Sequence, residues 1–305
     1  MRSVVFFLCC HGAASAGVRC VFLHGSGENS TQPATSTDVD AYWGGADIEK
    51  WTPFCNSRTF IHEDTTNNGW DSVYLQERYC KVAVGEDTDS TVIEDAIVVS
   101  HSMGNLVLAA AVKRGLCSLG ESSRWYAASA PWNGSKAATW VEGLCADIPG
   151  ASTALKWLAR KLKYCDPNSP QQATPAYITM QVGYPGLSDL VDVAAKHVAG
   201  ALCGTSGYGI TSKYSVALEA LSVAVGYGED NDGMVAISSC LLPGKHYGGE
   251  PSEVFYKASI NHADGTCQSG NGDFGIHSRQ PATWYASMGR ALAARPLRGD
   301  TSVLV

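Results

Sequence analysis

The pentapeptide Ser100-His101-Ser102-Met103-Gly104 is the part of this sequence best suited to chemistry. It stands where the apolar run Ala96-Ile97-Val98-Val99 stops and a helical pattern begins at Met103. A serine at a sharp strand-to-helix turn is lifted clear of the sheet. The helix N-terminus there presents free N–H groups and a positive dipole to a developing oxyanion. Ser102 therefore reads as a nucleophile. Strand and helix pack closely at such a turn, so the flanking residues must be small. Gly104 meets that need, and Ser100 stands where a second glycine is usual. A serine hydroxyl also needs a base, and the base needs a group to hold it.

The elements that must position these residues follow from the apolar pattern. Residues 18–23 are β-prone and open into the tight loop His24-Gly25-Ser26-Gly27. The stretch to about Ser57 is polar and turn-rich, and residues 59–62 suggest a second short strand. A helix is predicted over 71–84 with Asp71 as its cap. Residues 96–99 are continuously apolar, as a central parallel strand covered on both faces requires. The helix from Met103, ended by Gly115, is apolar nearly all round and should lie against the sheet. Residues 125–128 form the next strand. Residues 134–225 read as helical inserted material without further sheet, with amphipathic pieces at 155–162, 187–199 and 214–225. Apolar runs at 234–237 and 254–260 follow, and a closing helix starts at Pro281, a good first helical residue. Strands alternating with helices predict an α/β architecture with a mainly parallel sheet.

Composition narrows the class. The 305 residues are 45% apolar and 17% charged, enough for one large core without low-complexity tracts. A net charge of -7 with no basic stripe argues against nucleic acid as a partner. Arg2, the apolar run 4–10 and Ala14-Ser15-Ala16 form the three parts of a signal peptide over 1–16, so a secreted single domain over 17–305 is expected. No run is long enough to span a bilayer, which leaves transient contact with a lipid interface as the membrane association expected. Cys9 and Cys10 leave with that peptide. Nine cysteines remain, predicting several disulfides and at least one thiol without an intrachain partner. None has zinc-ligand spacing, and no metal is expected. Asn29-Ser30-Thr31 and Asn133-Gly134-Ser135 are glycosylation sequons compatible with export.

Four stretches together resemble landmarks of the α/β-hydrolase lipases and esterases. They are Val21-Phe22-Leu23-His24-Gly25, residues 100–105, Ala130-Pro131-Trp132-Asn133-Gly134-Ser135 and Asn231-Asp232-Gly233-Met234-Val235, in matching order and spacing. The likeness covers the core and not the insertion. It implies an α/β-hydrolase fold, with helices on both faces of the sheet and a helical cap at 134–225. Ser102 would be the nucleophile, with the backbone N–H groups of Met103 and Ser26 as oxyanion donors; one glycine follows His24 before Ser26, which resembles the family's single-glycine loop. The order in this fold is Ser, acid, His. The acid would be Asp232, with Asp230 as its rival. Downstream stand His246, His262 and His277. His262 directly follows the strand expected at 254–260, and strand ends hold a base best, so His262 is favoured. His62, His101 and His197 read as surface or packing residues. Leu155, Trp157, Leu158 and Leu162 form one stripe of the cap, and Trp157 is expected to contact substrate. The implied reaction is hydrolysis of a small-molecule or lipid ester through an acyl-enzyme, without cofactor. An acyltransferase on the same scaffold and an inactive binding protein are the rival readings.

Overall fold

A computed structural model describes residues 18–29, 31, 41–146, 159, 164–272 and 276–293. Among these, the strands are β1 (Val18–Leu23), β2 (Cys55–Phe60), β3 (Val92–Ile93), β4 (Ala96–His101), β5 (Ser118–Leu119), β6 (Arg124–Ala128), β7 (Val198–Gly204) and β8 (Phe255–Ala258). β3 and β5 pair only with each other. The other six form one sheet in the order β2-β1-β4-β6-β7-β8, and every pairing in it is parallel.

The side chains explain why β4 takes the centre. All six of its residues are buried. Val98 faces a core shared with Val21, Leu23, Trp125 and Ala201, covered by the helices Val73–Val84, Met103–Lys113 and Leu187–His197. Ile97 and Val99 face the opposite core, with Phe22, Tyr126 and Leu202 under Trp284 and Met288 of the helix Pro281–Ala293. The two-residue period of a strand thus feeds both layers, and β-branched side chains suit a strand buried on both sides. The helix Met103–Lys113 is buried from Met103 through Ala111, and the chain turns away at Gly115, whose φ is +74°.

Four expectations shift. The helix after Asp71 is capped by Ser72, whose hydroxyl accepts from Leu75 N; Asp71 instead accepts from the Tyr184 hydroxyl at 2.8 Å. β2 lies at Cys55–Phe60, earlier than 59–62; it is a polar edge strand, buried only at its ends, Cys55 and Phe60. Met234 and Val235 form a turn, and Ile237 opens the short helix Ile237–Cys240. The largest change is in the insertion. Residues 134–225 contain β7, a strand of the main sheet, and the helix Leu187–His197 packs on the core. The reading of that whole segment as inserted helices is therefore corrected. The proposed signal peptide, and Leu155, Trp157, Leu158 and Leu162, lie outside the described residues.

Disulfides join Cys20 to Cys55, Cys80 to Cys117, Cys145 to Cys165 and Cys203 to Cys240. The first ties β1 to the sheet edge, and the last closes the loop containing Asp232. Cys267 is buried and carries a free thiol. Among the described residues no helix is long and apolar enough to cross a membrane.

Candidate active site

Ser102 sits between the end of β4 and the first residue of the helix Met103–Lys113, with φ 51° and ψ -129°. A non-glycine residue at positive φ costs on the order of 1–3 kcal/mol, so the surroundings must hold it. They do so by backbone and by space. Ser102 N–H donates to Ala128 O at 3.0 Å, and Asn105 Nδ2 donates to both Ser102 O and Ala128 O at 3.1 Å. A Cβ on Gly104 would lie 2.3 Å from His24 O, so only glycine fits there. Ser100 replaces the usual glycine because its hydroxyl has a built place. It donates to Asn105 Oδ1 and accepts from Trp125 Nε1, each at 2.5 Å.

His262 and Asp232 come from the ends of neighbouring segments beyond β8 and β7. The Ser102 hydroxyl donates to His262 Nε2 at 2.9 Å, and His262 Nδ1–H donates to Asp232 Oδ2 at 2.8 Å. The donor directions follow from the partners: an ionised carboxylate only accepts, so Nδ1 carries the hydrogen and Nε2 is left as acceptor. The other oxygen, Asp232 Oδ1, accepts from Met234 N at 2.9 Å and Val235 N at 2.7 Å. The Asp232 side chain is 1% exposed and that of His262 13%, so the acid is sealed while the imidazole reaches the cavity. His262 N–H also donates to Asp232 O at 2.8 Å, fastening the two loops to each other. Behind His262, Asp264 Oδ2 accepts from Ile210 N at 2.8 Å and Asn261 N at 3.0 Å. Burial raises the Asp264 carboxyl above its ordinary range, against the pull of those donors.

Ser102, Asp232 and His262 are therefore brought together in hydrogen-bond contact. Ser26 lines the same cavity, and Met103 opens the helix, where the first N–H groups have no acceptor within the helix. Asp230 and His246 are exposed and outside this chain of bonds, and His277 lies in the turn His277–Arg279 before the last helix. His101 is buried, as a packing residue should be, yet both its ring nitrogens are bonded at the edge of the site: Nδ1 to the Tyr42 hydroxyl and Nε2 to His262 O. Burial, then the neighbouring His262, holds its pKa well below the usual histidine range.

A cavity of about 220 Å³ opens over Ser102. Its walls include Tyr42, Tyr164, Tyr177, Tyr214, Leu218 and Met234. The Tyr164 and Tyr177 rings are 4.7 Å apart, and burial raises both phenols, so they remain protonated donors. None of these tyrosines lies in a motif. Tyr42, Tyr164 and Tyr177 stand in segments without periodic signal, Tyr214 begins the amphipathic piece at 214–225, and tertiary folding gathers all four at the cavity. Among the described residues no group of three His, Cys, Asp or Glu side chains is placed to hold a metal ion.

Solved structures to which this chain is similar include lipases and an esterase. The chain has the α/β-hydrolase fold. It is similar to the mature form of a Bacillus licheniformis lipase, with a TM-score of 0.51 and 17% identity over 83% of this chain and 88% of that one. The propeptide form of that lipase gives a TM-score of 0.54 and 16% identity over 95% of this chain and 53% of the other. A metagenomic carboxyl esterase gives a TM-score of 0.50 and 12% identity over 92% and 77%. No family model and no curated protein matches the sequence.

Proposed function

We propose that this chain is an exported serine hydrolase that cleaves carboxylic esters through an acyl-enzyme, with Ser102 as nucleophile, His262 as base and Asp232 as the acid that orients it. The observation that carries the reading is the unbroken Ser102–His262–Asp232 chain of bonds at 2.9 and 2.8 Å, opening into a cavity. His262 Nε2 takes the Ser102 proton as Oγ attacks the carbonyl carbon. The carbonyl oxygen becomes an oxyanion that receives the backbone N–H groups of Met103 and Ser26. The proton on His262 passes to the departing alcohol, leaving the acyl group on Ser102. Water then gives its proton to His262 and attacks the acyl carbon, and that proton returns to Ser102 Oγ as the acyl bond breaks and the acid leaves. Asp232 remains ionised and stabilises the imidazolium.

The likeness to a lipase and to a carboxyl esterase supports an ester as substrate. Four disulfides support export, and the sequon residues Asn29 and Asn133 are both exposed. The helix Ser215–Val225 supports contact with a lipid interface. It lends Leu218 to the cavity wall and turns Val216 and Val223, each 73% exposed, to solvent. Hydrolysis of p-nitrophenyl esters by wild type and Ser102→Ala tests the proposal. The variant should stay folded and lose several orders of magnitude in kcat, along with labelling by a fluorophosphonate. Near-normal turnover in Ser102→Ala would rule out this serine as the nucleophile.

A further inference from the structure

Resting on the triad reading above, we propose that Tyr42 and His101 act as positioning residues: a hydrogen-bonded pair that locks the loop carrying Ser26 to the backbone of His262. Three contacts form the link. Gly25 N–H donates to the Tyr42 hydroxyl oxygen at 2.9 Å. The Tyr42 hydroxyl and His101 Nδ1 are 2.7 Å apart, and His101 Nε2 lies 2.9 Å from His262 O.

The direction of this chain is set by its ends. A carbonyl oxygen only accepts, so His101 Nε2 carries the hydrogen toward His262 O. Neutral imidazole then leaves Nδ1 as an acceptor, and the Tyr42 hydroxyl must donate to it. That leaves a lone pair of Tyr42 to receive Gly25 N–H. Burial of His101 between the Tyr42, Trp43 and His262 rings, at centroid distances of 5.6, 6.2 and 4.7 Å, favours the neutral form this wiring needs. His24, another imidazole packed against Tyr42, offers His101 no counter-charge.

Space enforces the same register. A Cβ on Gly25 would come 2.6 Å from Ser102 Cβ and 2.9 Å from the Tyr42 hydroxyl, so the Ser26 loop lies flush on the elbow. His101 is also the residue before Ser102 in the chain. The pair thus joins three parts that must agree in position: the Ser26 N–H, the Ser102 hydroxyl and the His262 imidazole. Misplacing a reacting group by about 1 Å can cost on the order of 100-fold in rate, the scale on which such a lock matters.

The test uses Tyr42→Phe, His101→Gln and His101→Phe in the full secreted chain, with kcat and KM on p-nitrophenyl butyrate and active sites counted by fluorophosphonate titration. Tyr42→Phe keeps the ring and removes the hydroxyl, and kcat should fall about 10-fold with KM within about two-fold. His101→Gln keeps an N–H for His262 O; His101→Phe keeps a buried ring and no bond. The expected order of kcat is wild type, then Gln, then Phe, with a loss on the order of 100-fold for Phe. A role in packing alone would favour Phe over Gln, and that order would overturn the proposal. So would a Tyr42→Phe enzyme with kcat within two-fold of wild type, or a loss confined to KM. Ser102→Ala, measured alongside, separates the two layers. If it is dead while Tyr42→Phe is unaffected, only the positioning pair falls; if it is active, triad and pair fall together.

Discussion

The floor and the outer wall of the cavity are built on opposite terms. The floor is made of strand ends: Ser102, Asp232 and His262 are held by backbone donors, by a disulfide and by glycines that no other residue could replace. The wall at the helix Ser215–Val225 has little of this. Only Ser215 in that helix is fully buried, although its sequence is SVALEALSVAV, and Val216 and Val223 face water. The floor accepts strain to fix geometry, whereas the wall leaves apolar surface uncovered. Rate should therefore respond to the floor, and the physical form of the substrate to the wall.

Three changes would break or sharpen that contrast. The largest effect is expected from Asp232→Asn, which preserves shape but disfavours the Nδ1–H tautomer of His262; kcat should fall on the order of 10³- to 10⁴-fold with little change in KM. A loss below about 10-fold would mean that the floor does not depend on its acid. Next is the Cys203→Ser, Cys240→Ser pair, which frees the loop around Asp232 from β7. Stability should drop by about 2–5 kcal/mol in denaturant titration, and an unchanged midpoint would show that the floor is fixed without its disulfide. The smallest effect concerns the wall. Val216→Ser combined with Val223→Ser should lower turnover of emulsified ester about 3- to 10-fold, by removing apolar area from the interface, and leave soluble p-nitrophenyl esters within experimental error. An equal loss on both would move this helix from interface to catalysis.

The floor was also the more legible region. The elbow announces itself because a buried strand, a small-residue turn and a buried helix each impose a composition, and all three meet at Ser102. The strand-end position singles out His262 in the sequence, and the structure puts it in contact with Asp232, which is buried where Asp230 is exposed. β7 carries a weak strand signal for a physical reason. Its sequence, VAGALCG, has one β-branched residue, since a Cβ at Gly200 would press on Val254 O and Tyr126, so small residues replace the usual strand formers. The amphipathic signal of Leu187–His197 ran straight into it. β2 was displaced because an edge strand need not be apolar. Tyr42 stands in a polar, turn-rich stretch, and only the folded chain brings its hydroxyl to Gly25 and His101.

Cys267 is the odd thiol among the described cysteines. Pairing the other eight cysteines of the expected mature chain leaves one thiol that can, while the chain is still open, attack any disulfide as a thiolate and exchange partners. The same residue is fully enclosed in the finished fold, where burial pushes its thiol well above the ordinary range and keeps it protonated. Completion of the fold thus withdraws the one thiol available for exchange, and the native pairing is closed to rearrangement by it.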